Sequence, residues 1–367
     1  MDESNVDRVR TATAAVCSDV LAPTAADSDR FGVPRAHLDA LADAGATTAV
    51  AARWSGNELG TGWRELIELV SGACGTTWFC FAQHAAPTAA VLNSENEELC
   101  ATWGPRLADG RALSGIAFAH IRRPGPPKVS VEPVGEDWII NGHLDWVTSW
   151  TICDVAMLVL AEAADPDRLV GLLIEPPRPD PANAPGLSAG PTLPLAAMGG
   201  THTWPVDFDD YRVAGANVVF RMARDDYLAV DRLRVVDANP AVFGLIHAAI
   251  TGLAEVSGQR GQDEGIRAAQ LLAGRLAQLR AEAYGRADEA AADPDVAETT
   301  LMLRADLRAQ AHALALAAAQ AVVLATSGAA VMLTSPGQRW LREAMFHLVQ
   351  AQTPAVRDAG LRLIQHP

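Results

Sequence analysis

Nine histidines and five cysteines carry much of the reactive chemistry in this 367-residue chain, and their spacing excludes several reactions. Cys17, Cys74, Cys80, Cys100 and Cys153 form no CxxC pair, so neither a structural zinc site nor a disulfide framework is expected. They read as small buried hydrophobes, since a reactive thiol needs a base beside it. His37, His143, His202, His247, His312 and His366 show neither HExxH nor HxH spacing, which predicts no metal. Gly186-Leu187-Ser188-Ala189-Gly190 matches Gly-x-Ser-x-Gly, but it lacks the strand-to-helix turn of a nucleophile elbow. No Walker A or GxGxxG segment is present.

The elements that must position any site change texture twice along the chain. From Asp7 to about Arg111 the pattern is helical: Pro34 starts a run that Gly45 stops, and Leu66, Ile67 and Val70 share one face. Between Leu113 and Arg221, strand-length apolar stretches at Lys128–Val134, Trp138–Asn141, Val155–Ala161 and Val170–Glu175 alternate with breakers. The proline-rich stretch 176–194 reads as a long surface loop, and 206–213 alternates again, predicting a small antiparallel β unit. From Asp226 onward, helical runs are expected at 227–237, 242–256, 265–288, 296–327 and 336–352, forming an alanine-rich bundle. The boundaries expected are 1–112, 113–224 and 225–367.

Composition narrows the function. With 44 Asp+Glu against 29 Lys+Arg, the net charge of −15 argues against nucleic acid, and Lys128 is the only lysine, so no polybasic membrane patch exists. No uninterrupted apolar run reaches the ~20 residues that span a bilayer, and the charged start at 1–10 is unlike a signal peptide. A cytoplasmic protein is the expectation.

The order helices, strands, bundle resembles the acyl-CoA dehydrogenase family, and particular segments sharpen the likeness. Asn141-Gly142-His143-Leu144-Asp145-Trp146-Val147-Thr148-Ser149 is similar to the family's Gly-x-Lys-x-Trp-Ile-Thr-Asn, with Leu144 in place of the lysine. Ser114 to His120 stands where the family has the strand edging the flavin, although its Thr-Glu-Pro ending is replaced by His120-Ile121-Arg122. Segments 195–201 and 206–213 look like the family's later hairpin, and Gln338-Arg339-Trp340-Leu341-Arg342-Glu343-Ala344 resembles Glu-Arg-x-x-Arg-Asp-Ala. The likeness implies a mainly α fold with a central β-barrel and a C-terminal four-helix bundle. It implies FAD as cofactor, α,β-oxidation of acyl-CoA or another acyl thioester, and a homodimer or homotetramer. Phe118, Trp146, Thr148 and Ser149 become cofactor contacts, with Arg260 and Gln270 as partial echoes of the residues that reach a neighbouring subunit's FAD. An indole is a flat apolar wall for one ring face, and a hydroxyl is a neutral donor.

Two departures bear on mechanism. Counting from Arg342 puts Ala351 where the family carries its glutamate base, and alanine cannot take a proton. Asp231-Arg232-Leu233 resembles an earlier segment that bears the base in some members, so Asp231 is the substitute candidate. The Phe of the FAD-reaching segment near Arg260 is also missing. The related branch that uses reduced flavin for monooxygenation fits these losses, because Gly75 to His84 looks like its Ser-Thr-x-Trp…His helix. On that reading His84 and His120 handle protons near the flavin, with His347 a weaker candidate. A third reading is an inactive partner subunit that completes a hetero-oligomer with a glutamate-bearing paralogue.

Overall fold

A computed structural model of the chain describes residues 4–53, 61–123 and 125–365, so His366 falls outside the described residues. The N-terminal helices are α1 (Asn5–Val16), α2 (Ala22–Phe31), α3 (Arg35–Asp43), α4 (Ala46–Ala52), α5 (Trp63–Ala73), α6 (Gly75–Leu92) and α7 (Glu97–Ala108). A π-helical stretch, Cys17–Leu21, joins α1 to α2. Pro34 stands at the N-cap of α3, and Gly45, in the left-handed region at φ 81°, separates α3 from α4. Helix α6 is the central one: Trp78, Cys80, Phe81 and His84 are all buried, so it is apolar almost all round.

The strands are β1 (Ser114–Ala117), β2 (Val129–Val134), β3 (Asp137–Val147), β4 (Val155–Glu162), β5 (Arg168–Ile174), β6 (Asn183–Ala184), β7 (Leu187–Ala189), β8 (Trp204–Val213) and β9 (Val218–Ala223). They make one open nine-stranded sheet, β6-β7-β8-β3-β2-β4-β5-β9, with β1 added on β4. The expected closed barrel is therefore corrected: β6 and β9 end the sheet and do not pair with each other. Nor is it wholly antiparallel, since β4 runs parallel to both β1 and β2. Strand β4 explains why: all eight of its residues are buried. Ala156, Leu158 and Leu160 face one core, while Val155, Met157 and Val159 face another that includes Val91, Leu99 and Leu107 of α6 and α7. The proline-rich stretch is not all loop, because β6 and β7 form a short hairpin that adds to β8.

The C-terminal helices are α8 (Arg224–Val235), α9 (Pro240–Arg260), α10 (Asp263–Ala292), α11 (Pro294–Thr299), α12 (Leu301–Thr326), α13 (Pro336–Val349) and α14 (Pro354–Gln365). Asn239 caps α9 by accepting from the Ala241 N–H, and Gly261 closes it at φ 64°. Phe243, Leu253, Leu272, Leu276, Leu314 and Trp340 form the bundle core. The expected run 336–352 stops at Val349, and α14 follows it. Among the described residues, the stretches 224–260 and 301–331 are long and apolar enough to cross a membrane by length and composition. Their most apolar windows are 56% and 39% buried within the fold.

Helices α5 and α9 cross at glycines. A Cβ on Gly72 would lie 2.9 Å from the Gly244 carbonyl oxygen, and one on Gly244 only 2.1 Å from that of Glu68. Beside this crossing Glu68 accepts from Arg280 Nε at 2.8 Å and from the Tyr284 hydroxyl at 2.5 Å, while Arg64 pairs with Asp288.

Candidate flavin site and its surroundings

One extra residue in β3 creates the exposed aromatic surface. Leu144 pairs with Val206 and Val147 with Trp204, so Asp145 and Trp146 together face a single position of β8. Leu144 and Val147 are both buried, and the bulge turns Asp145 and Trp146 outward. Trp146 is 48% exposed; among the described residues Phe31 is the one other exposed aromatic side chain.

The neighbouring hydroxyls point inward. Thr148 Oγ1 lies 3.0 Å from Thr203 Oγ1, which lies 2.8 Å from Thr201 Oγ1, and Thr201 donates to the Met198 carbonyl at 2.8 Å. That carbonyl sets the direction of the chain: Thr203 donates to Thr201, and Thr148 donates to Thr203. Thr148 therefore has no proton left for a ligand. Ser149 is wholly buried at φ 66°, its N–H held by the Thr201 carbonyl, and its hydroxyl lies beside the Cys80 thiol.

Phe118 and Asp231 meet through one guanidinium. Arg122 lies over the Phe118 ring at 4.7 Å and makes a two-point pair with Asp231, both bonds 2.7 Å. Arg122 and Asp231 are each mostly buried, so this fork engages both carboxylate oxygens of the substitute base candidate. Arg260 and Gln270 stand on the bundle instead of the sheet. Arg260 caps α12 by donating to the Ala325 and Thr326 carbonyls at 2.9 and 3.0 Å, and Gln270 is exposed on α10.

His84 is a fold tie. Its Nε2–H donates to the Leu107 carbonyl at 2.8 Å, and its Nδ1 accepts from the Ser114 N–H at 3.0 Å, so both nitrogens of the neutral ring are engaged. These two bonds tie α6 to the end of α7 and the start of β1. His120 sits in the 3₁₀ turn Ala119–Arg122 with a buried Nε2 that has no hydrogen-bond partner among the described residues. His347 is buried on α13, its ring 5.2 Å from Trp78 and 6.4 Å from His312. The chain leaves α13 through Gln350, whose carbonyl accepts from Arg308, and enters a left-handed turn at Ala351, φ 49°. Two features were missed: a cavity of about 80 Å³ lined by His120, Arg123, Lys128 and Arg224, and a buried charge cluster around Glu343. Lys128, alone of its type, was the one sequence signal of the first.

Burial pushes His84 and His120 down to about 4 and His347 to about 3, from an ordinary value of 6.5. A depressed histidine stabilises the fold fully above the unfolded pKa and loses that contribution as pH falls toward the folded one. Stability is therefore expected to decline from about pH 6.5 to pH 4, roughly a kcal/mol or two per histidine by pH 5. Thermal melts between pH 7 and 5 check this, and a flat melting temperature across that range contradicts it.

Among the described residues no group of three or more His, Cys, Asp or Glu could hold a metal ion. The cavity of about 80 Å³ is too small for a flavin ring, whereas the open indole of Trp146 offers a flat apolar surface for one. The exposed Trp146 face fits one side of such a ring; the inward hydroxyl of Thr148 offers it no donor.

No protein-family model matches the sequence. Cyclohexane-1-carbonyl-CoA dehydrogenase of Syntrophus aciditrophicus (strain SB) is 27% identical over 238 residues, covering 60% of this chain and 59% of that protein. The chain thus spans less than two thirds of the length of the curated relatives it matches. A glutaryl-CoA dehydrogenase from Mycobacterium smegmatis, solved with FADH2, superposes with TM-score 0.75 at 14% identity, over 100% of this chain and 95% of that one. The dibenzothiophene monooxygenase of Paenibacillus sp. A11-2, also solved with FMN, superposes with TM-score 0.77 at 18% identity, over 98% and 97%. The chain has the acyl-CoA dehydrogenase fold and is acyl-CoA dehydrogenase-like in sequence.

Proposed function

We propose that the chain is a flavin-dependent oxidoreductase that lays FAD against Trp146 and oxidises an acyl thioester. The outward indole on the β3 bulge carries this reading: nothing in the packing of β3 requires it, and it gives a ring face an apolar wall. Two solved structures of this fold carry FADH2 and FMN, which supports a flavin as the cofactor. When bound, the flavin supplies the redox chemistry. The chain's part is to orient: Trp146 offers the wall, and Arg122 holds Phe118 and Asp231 in one unit. To remove the substrate's α-proton, Asp231 has to leave its guanidinium fork.

The Ala351 turn and the Arg122–Asp231 pair favour a second reading, oxygenation by reduced flavin, which needs no carboxylate base at either place. A partner subunit of a hetero-oligomer shares those losses. Exposed Leu324, Val331, Met332 and Leu333 on the bundle support self-association or such pairing.

The visible spectrum of the purified protein after FAD titration tests the flavin. Trp146→Ala is expected to weaken FAD about tenfold with little change in melting temperature, because the indole is half exposed. A colourless protein whose added FAD is bleached by no acyl-CoA defeats the primary reading; product that forms only with a flavin reductase and oxygen installs the second.

A further inference from the structure

One buried guanidinium near the candidate base has no carboxylate. Along the second half of α8, Asp231 pairs with Arg122 and Arg232 with Glu298, and just beyond the helix Asp237 pairs with Arg304. Arg308 of α12 is 2% exposed, and among the described residues it enters no ion pair. It donates instead to the Val235 and Gln350 carbonyls, and its Nε has no hydrogen-bond partner among the described residues. Burial pushes this guanidinium down to about 10; the nearby Arg122 adds to the fall and Asp237 opposes it. A charge taken out of water without a counter-ion is costly, so this corner of the fold favours a further anion.

The Arg122 fork is the place for it to dock. It already seats both oxygens of Asp231 at 2.7 Å, a planar two-point geometry that any carboxylate matches. The two side chains are 13% and 14% exposed, so the pair opens to solvent where Arg308 does not. Phe118 lies 4.7 Å from the guanidinium and supports it when the carboxylate leaves. Once released, Asp231 has a donor on its own helix, since the nearby Tyr227 hydroxyl, one turn earlier, has no hydrogen bond among the described residues. Withdrawal of Asp231 alone strands two neighbouring guanidiniums, Arg122 and Arg308, without an anion. We propose that Arg122 exchanges Asp231 for a carboxylate carried on the substrate's acyl group, so that the substrate is the monothioester of a dicarboxylic acid. Docking of that carboxylate and release of the base are then one event. The exchange deepens the thioester reading above and rests on it.

Calorimetric titration of the full chain, without flavin, tests the exchange apart from turnover. Malonyl-, succinyl- and glutaryl-CoA are each compared with the acyl-CoA of equal carbon number: propionyl-, butyryl- and pentanoyl-CoA. At least one dicarboxylic member is expected to bind about tenfold more tightly than its match. Arg122→Gln removes that advantage. Asp231→Asn widens it several-fold, because the incoming carboxylate no longer competes with an anion for the fork; a merely structural pair gives no such gain. The asparagine variant is nearly isosteric and keeps the test alive if Arg122→Gln does not fold. Equal affinity within all the matched pairs, or an advantage that either folded variant leaves unchanged, overturns the proposal. Bleaching of FAD by an acyl-CoA without a second carboxylate, alongside equal affinities, defeats the exchange and leaves the flavin reading standing. A dicarboxylic advantage in a chain that takes up no FAD removes the flavin reading and upholds the exchange.

Discussion

Glu343→Ala is expected to destabilise the protein by roughly 3–5 kcal/mol, the usual effect of removing one partner from a buried ion pair. Glu343 is 1% exposed and Arg339 6%, and their charged atoms meet at 2.7 Å one turn apart on α13. The carboxyl lies against the start of α6, where a Cβ on Gly75 would come within 2.7 Å of it. Nearby, the buried Asp29 of α2 accepts from Arg342 at 2.5 Å. These groups bind α2, α6 and α13 at one point. Alanine strands the buried Arg339 guanidinium without its partner. Glu343→Gln keeps an acceptor without the charge and is expected to lose less. Replacing both partners with apolar residues of similar volume should recover much of the loss. Denaturant midpoints of the set measure this, and a Glu343→Ala midpoint equal to wild type shows that the pair does not hold these helices.

The second large effect concerns rate. Ala351→Glu is expected to raise acyl thioester oxidation about 10²–10⁴-fold, the range that a positioned general base contributes. The turn already holds a non-glycine residue at φ 49°, so glutamate meets no backbone strain that alanine avoids. The end of α13 is anchored because Arg308 donates to the Gln350 carbonyl, which fixes where the new side chain leaves the backbone. The rate at which an acyl-CoA bleaches bound FAD is the measurement. No gain in a folded, flavin-loaded variant removes the view that the missing base limits this reaction, and turns attention to oxygenation or to a partner subunit.

Much of the architecture was legible because it rests on local patterning. The apolar stretch 155–161 became β4 at Val155–Glu162, and 128–134 became β2 at Val129–Val134, since β-branched runs between breakers have few other uses. Sheet closure was not legible, because pairing between β6 and β9 is a question of long-range register. The bulge was faintly visible: the buried Leu144 and Val147 are three apart in β3, which breaks the two-residue period of a strand. The site residues were harder. The helical pattern around His84 says nothing of a carbonyl at Leu107 or an N–H at Ser114, and Asp231 finds its arginine 109 residues earlier. The cationic hollow gathers residues from 120–123 and 125–128, a residue of β4 and the first residue of α8, which no local window joins.

The glycine crossing of α5 and α9 bears on how the chain can be divided. Three textures invite three fragments, but at Gly72 and Gly244 two helices from opposite ends of the sequence touch backbone to backbone. A C-terminal piece cut free of the sheet would expose a notch that its own side chains cannot fill. Excision thus removes contact that no repacking replaces, and the helices at the two ends of the chain stand or melt as a single body.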